Sequence, residues 1–434
     1  MYLSRVRAVI AVLVLLFVFA GSGRLRAQGE PAPAAAEDQL SPAELKRRLD
    51  LLAAEVEQLR SGETRTDESL TQEQRQALGL GPSAASVYEK KSGVSFAGYG
   101  EMLFQRLGTK NESGTRLGPA ASIDMLRAVL YTGYRFNDRF LFNSEVEFEH
   151  GGEEVAIEFA YLEYRINKNL SVRGGNLLVP LGLVNEYHEP NVFIGTRRPE
   201  TERRIIPSTW HENGAGIVGT AGLVTFRAYA VNGLNAESFT AAGLRGGRQG
   251  GAEAKVNDWA FAGRADVAPI PGVFAGVGLY QGNSGQGQFE RTNAGTRIVE
   301  VHGQAQIRGF DVRGLFAHAT VDGAAELNAA LGLFGSSTIG EAMAGGYGQV
   351  AYNVLSQQST RMSVAPFYRF EKLNTQDAVP TGYLADPARA QTLHVLGVEL
   401  KPIGNIALKA DYQFTKNKAR TGRDQFSVAL GYAF

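Results

Sequence analysis

The chain has no cysteine, so cysteine nucleophiles and thiolate metal sites are excluded. Its six histidines are then the side chains best suited to chemistry. They follow no metal-ligand spacing: His188-Glu189 and His211-Glu212 lack the second histidine of a helical zinc motif. A Walker phosphate loop, a nucleophile elbow and a dinucleotide fingerprint are also missing. We therefore predict no catalytic, metal or cofactor site. The six are His150, His188, His211, His302, His318 and His394.

One enzyme hypothesis stays open, because His302 and His318 fall on neighbouring predicted strands. A hydrolase would pair one of them with a serine. A histidine that lines a lumen or an interface is the favoured alternative.

The elements that would position these residues begin after a secretory signal. Arg5 and Arg7 precede an apolar run, Ala8 to Ala20, that is shorter than the roughly 20 residues of a spanning helix. We place a signal peptide at 1–27, with cleavage after Ala27. A retained anchor is the less favoured reading.

Three further segments precede the strands. Residues 28–40 form an Ala- and Pro-rich leader, and residues 41–60 start with a capping box at Ser41 and continue with leucines at coiled-coil spacing. This helix either associates with copies of itself or packs on a periplasmic partner or on the rim of the barrel predicted below for residues 93–434. Residues 61–92 are predicted as a polar linker with a short helical piece at 72–78.

Composition narrows the functional classes. Cleavage after Ala27 removes four arginines and no acid, which turns 44 basic against 44 acidic residues into 40 against 44. A mildly acidic chain without a basic cluster argues against a nucleic-acid partner. No second apolar stretch reaches spanning length, so a helical membrane protein is excluded and an all-β protein is expected.

Residues 93–434 show the two-residue alternation of β-strands. In Phe140 to Glu149, an apolar face alternates with Asn143, Glu145, Glu147 and Glu149. Short turns alternate with long polar loops, as in bacterial outer-membrane barrels. We count about sixteen strands and predict an all-β, antiparallel transmembrane β-barrel. The last residues, which end in Phe434, are typical of the terminal strand that such barrels present to the barrel-assembly machinery.

Five stretches of this barrel resemble the phosphate-selective porin O and P family. The resemblance implies a trimer of 16-stranded barrels whose third loop folds inward and narrows the pore. The stretches are 96–101, 142–150, 178–182, 366–371 and 396–402.

The inward loop is predicted around 183–213, where two apolar patches, 192–194 and 205–207, could pack on the wall. Charges of both signs between them would create a transverse field across a constriction. In the alternative, these charges pair with each other and with wall carboxylates to hold the loop down. The constriction candidates are Arg197, Arg198, Glu200, Glu202, Arg203 and Arg204.

Further charges are predicted to face the lumen from the strands. An arginine ladder would favour anions, but an acidic row opposes it, so weak selectivity is favoured over phosphate selectivity. The basic candidates are Arg127, Arg173, Arg227, Arg264 and Lys409, and the acidic candidates are Glu145, Glu147 and Glu149.

We predict a porin in the cell outer membrane of a Gram-negative-type bacterium, which lets small hydrophilic solutes or ions diffuse passively and does no catalysis. The expected partners are outer-membrane lipid, further copies of the chain in a homotrimer, and the barrel-assembly machinery. Two alternatives remain: an anion- or phosphate-selective channel, and a closed barrel that anchors or scaffolds envelope components.

Overall fold

The computed structural model describes residue 70 and residues 72–434, and this part of the chain forms one closed antiparallel barrel of sixteen strands. The fold predicted from alternation is therefore confirmed. The strands are β1 Gly93–Leu107, β2 Ala120–Arg135, β3 Phe140–Glu149, β4 Glu154–Asn167, β5 Leu170–Leu178, β6 His211–Ala221, β7 Val224–Asn232, β8 Trp259–Ile270, β9 Val273–Asn283, β10 Gly295–Ile307, β11 Phe310–Val321, β12 Ala342–Tyr352, β13 Ser363–Ala378, β14 Ala390–Ile403, β15 Ile406–Asn417 and β16 Gln425–Ala433.

Each strand pairs with its neighbours in sequence, and β1 pairs with β16 to close the sheet. The register runs from Tyr99 opposite Ala433 to Leu107 opposite Gln425. Closure leaves no unpaired strand edge, which a sheet in lipid requires because hydrocarbon offers no hydrogen-bond partner.

Alternation along each strand separates an apolar outer surface from the interior. In β16, Phe426, Val428 and Leu430 are 37–41% exposed on the outside, whereas Ser427 and Ala429 are buried. Apolar side chains facing outward all around a barrel form the lipid-facing band of an outer-membrane protein. No helix in the described part of the chain is both long and apolar enough to cross a membrane.

The connections divide by length between the two ends of the barrel. Turns such as 168–169, 271–272 and 404–405 lie at one end, which we call the short-turn end. Loops such as 233–258 and 322–341 lie at the other, the long-loop end. The 353–362 connection is longer than its neighbours, and 150–153 is shorter.

Helices in the described residues are short and are not part of the barrel wall. The α-helices are α1 Gln72–Leu78, α2 Glu200–Arg204 and α3 Ala324–Leu331; the 3₁₀ helices are Ser86–Glu89, His150–Gly152, Ala236–Ser238, Arg245–Gly247, Gly335–Ser337 and Pro387–Arg389. The predicted signal peptide (1–27), leader (28–40) and coiled-coil helix (41–60) fall outside the described residues.

The two faces of β10 give a test of orientation in the membrane. Val301 lies outside and is 48% exposed, so Val301→Arg should lower the free energy of unfolding by about 2–4 kcal/mol. Gln304→Arg places the same charge on the inner face beside Asp311 and should cost much less. Urea unfolding in phospholipid vesicles measures both; equal losses would contradict the assignment of the faces.

Candidate functional site: the filled lumen

The connection between β5 and β6, residues 179–210, folds into the lumen, and we call it the inward loop. It covers the predicted range 183–213 apart from the last three residues, which begin β6. Asn185 joins its two ends: the side-chain amide donates to the carbonyls of Val179 at 2.7 Å and Trp210 at 2.9 Å. The side-chain oxygen Oδ1 of Asn185 accepts from the Trp210 backbone N–H at 2.8 Å.

The inward loop reaches the opposite wall at β15. The Asp411 carboxylate accepts from the Thr196 N–H at 2.7 Å and from the Thr196 hydroxyl at 3.0 Å. Lys409 Nζ donates to the Phe193 carbonyl at 2.6 Å and lies 3.9 Å from the Phe193 ring centroid. Lys409, a predicted pore-wall residue, is therefore an anchor for the loop.

Helix α2 lies in the middle of the inward loop and is held by wall groups. The Thr201 N–H at its first turn donates to Glu371 Oε1 at 2.5 Å, so a carboxylate compensates the helix N-terminus. Glu202 accepts from the Tyr347 hydroxyl at 2.6 Å. Both carboxylates are almost fully buried, and both connect the loop to β12 and β13.

Glu200 pairs within the same helix with Arg203 and with Arg204, whose Nε lies 2.7 Å from Glu200 Oε2. Burial raises the pKa of Glu200, but the two guanidinium groups outweigh it and lower the pKa to about 2. Glu200, Arg203 and Arg204 thus neutralise part of each other's charge. This pairing fits the alternative prediction, in which the loop charges pair with one another and hold the loop in place.

Arg197 and Arg198 are placed differently. Arg197 donates to Gln105 Oε1 on β1 at 2.8 Å, and Arg198 donates to the His188 carbonyl at 3.5 Å. Burial, with Arg203 nearby, lowers the pKa of Arg197 to about 10, so the guanidinium stays charged at neutral pH.

A second piece of chain fills the short-turn end of the lumen. We call residues 75–89 the luminal segment. The prediction of a polar linker over 61–92 is corrected for this stretch, because Leu80, Ala85 and Val87 are at most 2% exposed. Its apolar side chains join the same buried cluster as inner-wall residues.

The last turn of helix α1 forms the start of this segment, and the helix ends in a Schellman motif. The Gly79 N–H donates to the Gln76 carbonyl at 3.1 Å, and the Leu80 N–H donates to the Arg75 carbonyl at 3.3 Å. Gly79 has φ +69°, a left-handed conformation that glycine adopts without strain.

Two predicted pore-wall arginines cap this helix. Arg227 donates to the carbonyls of Gln76 at 3.0 Å and Ala77 at 3.2 Å, and Arg173 donates to the Leu78 carbonyl at 2.9 Å. The last carbonyls of a helix lack partners within the helix, and a cation also offsets their negative dipole end. Both arginines therefore hold the luminal segment and do not form a ladder in open water.

The luminal segment also binds the inward loop. Glu189 Oε1 accepts from the N–H groups of Ser83 at 2.8 Å and Ala84 at 3.1 Å. Burial raises the pKa of Glu189 to about 7, against the lowering effect of these two donors. Further along, the Tyr88 hydroxyl donates to Glu163 Oε2 of β4 at 2.6 Å.

The acidic row of β3 faces inward, as alternation predicted, and three members of the inner wall share one arginine. Arg127 on β2 lies 3.4 Å from Glu101, 3.1 Å from Glu147 and 3.3 Å from Glu149. Glu145 is fully buried. From the sequence, the acidic row is expected to oppose the anion preference of an arginine ladder. At Arg127 the two sets of charges instead form ion pairs with each other.

Arg264 on β8, also predicted to face the lumen, belongs to another charged network. It contacts Asp266 through Nε at 2.8 Å and lies 3.6 Å from Glu186 of the inward loop. Glu186 also lies 2.8 Å from Arg227 Nε.

Two cavities remain on either side of the inward loop, and they share no lining residue. The cavity at the short-turn end measures about 350 Å³ and includes Arg313, Glu399 and Lys401. The cavity at the long-loop end, which we call the outer vestibule, measures about 290 Å³. Its lining contains five arginines against three carboxylates: Arg127, Arg197, Arg198, Arg203 and Arg245, with Glu101, Asp124 and Glu149.

The histidines are distributed over both faces of the wall. His302 is buried in the lumen, whereas His318 points outward, so of these two histidines only His302 faces the interior. His188 of the inward loop lies between Glu145 and Glu158, a group able to hold a metal ion. Burial lowers the pKa of His188, but these two carboxylates outweigh it and raise the pKa to about 9.

No family model matches the chain. An uncharacterized protein of Aquifex aeolicus (strain VF5) is 38% identical over 375 residues, which cover 82% of this chain and 83% of that protein. The chain belongs to the same family as this Aquifex protein.

Solved structures with a similar fold are bacterial outer-membrane porins. The Salmonella typhi OmpF complex with daunomycin gives a TM-score of 0.53 at 12% identity, over 79% of this chain and 98% of that one. The anion-selective porin from Comamonas acidovorans gives 0.51 at 13%, over 79% and 100%. These likenesses confirm a porin-like barrel, and the barrel with its apolar outer face is an outer-membrane protein. The phosphate-selective porin O and P family stays a prediction.

Sequence reasoning missed the residues that join the two luminal pieces. Asn185, Glu189 and Tyr88 belong to no motif, and their partners lie far away in sequence. The glycine that follows 72–78 was a usable signal, because a helix followed by glycine often ends in this cap.

Gly79 allows a test of the luminal segment. A Cβ at this position would lie 2.2 Å from Glu186 Oε1 and 3.1 Å from Arg227 Cδ, and Glu186 is held by ion pairs with Arg227 and Arg264. Gly79→Ala should therefore disturb these pairs, loosen the segment and raise single-channel conductance. Gly114→Ala is the matched control: its φ is +82°, but a Cβ there meets nothing within 4 Å. The left-handed strain of about 1–2 kcal/mol is then similar in both variants, and equal conductances would contradict the assigned position of the segment.

The ion pairs of Glu200 predict a pH dependence. A carboxyl whose folded pKa is depressed stabilises the protein above its unfolded value, about 4.5, and this contribution is lost as pH falls toward 2. At neutral pH, Glu200→Gln should cost about 1 kcal/mol, since the arginines are about a third exposed and screened by solvent. The difference from wild type should vanish near pH 2 in urea unfolding; a constant difference would contradict the ion pairs.

Proposed function

We propose that the protein is a passive outer-membrane channel for small hydrophilic solutes or ions, narrowed by the inward loop. The observation that carries the proposal is a polar cavity on each side of that loop within a closed sixteen-stranded barrel. Solutes would approach from both ends and cross through gaps between charged side chains.

We also propose that the channel prefers small anions. The outer vestibule carries two more arginines than carboxylates, and a positive potential at a narrow mouth concentrates anions. Arg197 contributes most directly, because its side chain donates to the neutral Gln105 and not to a carboxylate. The anion-selective Comamonas porin and the resemblance to phosphate-selective porins agree with this direction, and phosphate is the narrower hypothesis.

Reversal potentials across a salt gradient test the preference. Wild-type channels in planar bilayers should show a reversal potential with the sign of chloride preference. Replacing Arg197 and Arg203 together by alanine should move it toward cation preference, because the vestibule loses two positive charges.

Arg139→Ala is the control, since it removes an exposed charge on a short turn, bonded to Tyr164. This variant should leave the reversal potential at the wild-type value. A wild-type preference for cations, or equal shifts in both variants, would contradict anion selection by the vestibule.

A closed barrel that scaffolds envelope components is the second proposal. The specific observation behind it is the filling of the lumen by both the inward loop and the luminal segment. Liposome swelling with neutral sugars, beside the bilayer recordings, separates the two. Swelling and conductance support the channel, and their absence with correctly folded protein supports the scaffold.

Assembly as a homotrimer is a further proposal, carried by the resemblance and by the predicted coiled-coil helix at 41–60. We also propose that the barrel-assembly machinery binds the chain during biogenesis. Outer-membrane lipid is proposed to surround the folded barrel. Light scattering of the detergent-solubilised protein should give three chains per particle; a single chain per particle would remove the trimer.

A further inference from the structure

Three buried side chains from separate elements bring metal-ligand chemistry together in the lumen. They are Glu145 on β3, Glu158 on β4 and His188 on the inward loop, and their ligand atoms all lie within 4.8 Å of one another. Each residue is at most 2% exposed. The fold thereby creates a combination that histidine spacing in the sequence does not predict.

The imidazole is oriented as in a metal site. His188 Nδ1 lies 2.8 Å from the Asn185 carbonyl oxygen, so the Nδ1–H donates there and fixes the ring. Nε2 then faces Glu145 Oε1 at 3.0 Å and Glu158 Oε2 at 3.3 Å. A backbone carbonyl that holds the other ring nitrogen is a common support for a ligating histidine.

One carboxylate oxygen in the group lacks a hydrogen-bond donor. Glu158 Oε2 is buried and has no hydrogen-bond partner among the described residues. A protonated His188 carries one hydrogen on Nε2, and Glu145 is nearer to it. An unsatisfied buried carboxylate oxygen is costly, and a bound cation would satisfy it.

The surrounding charge also leaves room for a cation. Arg127 is shared among Glu101, Glu147 and Glu149. Glu145 and Glu158 form ion pairs with His188 at 3.0 and 3.3 Å, and Arg127 and Arg248 act on Glu158 only through longer-range electrostatics.

We propose that Glu145, Glu158 and His188 bind a divalent transition-metal ion, with zinc as the best fit. Imidazole with carboxylates suits zinc, and ligands at about 2.0–2.1 Å in a tetrahedron lie about 3.3 Å apart. His188 Nε2 lies at similar distances, 3.0 and 3.3 Å, from oxygens of Glu145 and Glu158. The fourth position takes water. Such an ion clamps the inward loop to β3 and β4, a role separate from conduction.

His302 shows why a similar cluster does not qualify. Its ring nitrogens face Asp266 at 2.7 Å and Glu300 at 2.8 Å, but Arg264 lies 2.8 Å from Nε2. The guanidinium already supplies the positive charge there. His302→Gln is therefore a matched control that removes a buried histidine between two carboxylates.

Zinc binding by the full chain without a histidine tag tests the site. Detergent-solubilised protein is stripped with chelator and titrated with zinc chloride by calorimetry, with bound metal counted by mass spectrometry. Wild type and His302→Gln should bind one zinc per chain. His188→Gln and Glu158→Gln should bind at least about tenfold more weakly.

A thermal readout accompanies the titration, because a ligand of the folded state raises the unfolding midpoint. Zinc should raise it in wild type and His302→Gln but not in Glu158→Gln, whose near-identical shape preserves folding. The proposal is overturned if wild type binds no stoichiometric zinc, or if Glu158→Gln binds zinc with equal affinity. The group would then be a protonated His188 held by two carboxylates. Neither result depends on whether the barrel conducts.

Discussion

Pairing of the first strand with the last is the constraint on which the rest of the structure depends. Gly98 and Phe434 exchange both backbone hydrogen bonds, at 3.0 and 2.9 Å, at the short-turn end of the β1–β16 seam. In lipid, an open sheet would leave a row of unpaired peptide groups, so closure is obligatory for a sheet that crosses a membrane. Closure also fixes which face of each strand is lipid-facing and which is luminal, and so decides where every charge of the barrel lies.

Once the sheet is closed, the luminal charges need partners, and two pieces of the same chain supply many of them. The inward loop brings carbonyls, amides and carboxylates to Lys409, Asp411 and Glu371. The luminal segment brings the free carbonyls of α1 to Arg173 and Arg227. A buried charge without a partner is expensive, so the wall and its filling stabilise each other, and the cavities left between them define the proposed path.

Much of this could be predicted from the sequence, and the limits have a physical cause. The two-residue period gives strand identity and the inward direction of Glu145 and Glu147, because alternation is a local property. The partners of Arg173 and Lys409 are not local: their contacts lie 95 and 216 residues away in sequence. The apolar residues of 75–89 are too few and too irregularly spaced to predict that the segment is buried, so the sequence favours a linker there. The group of Glu145, Glu158 and His188 cannot be predicted from sequence spacing either, because its members come from three separate elements.

The central claim is that the inward loop spans the lumen from β5 to β15, and a cross-link measures this directly. The chain has no cysteine, so Thr196→Cys with Asp411→Cys creates a unique pair at positions whose side-chain oxygens lie 3.0 Å apart. A short thiol-specific cross-linker applied to folded protein should join them, and the joined chain should migrate differently on a denaturing gel. Free thiols at both positions after treatment would mean that the loop lies elsewhere, and the account of the lumen would then be wrong.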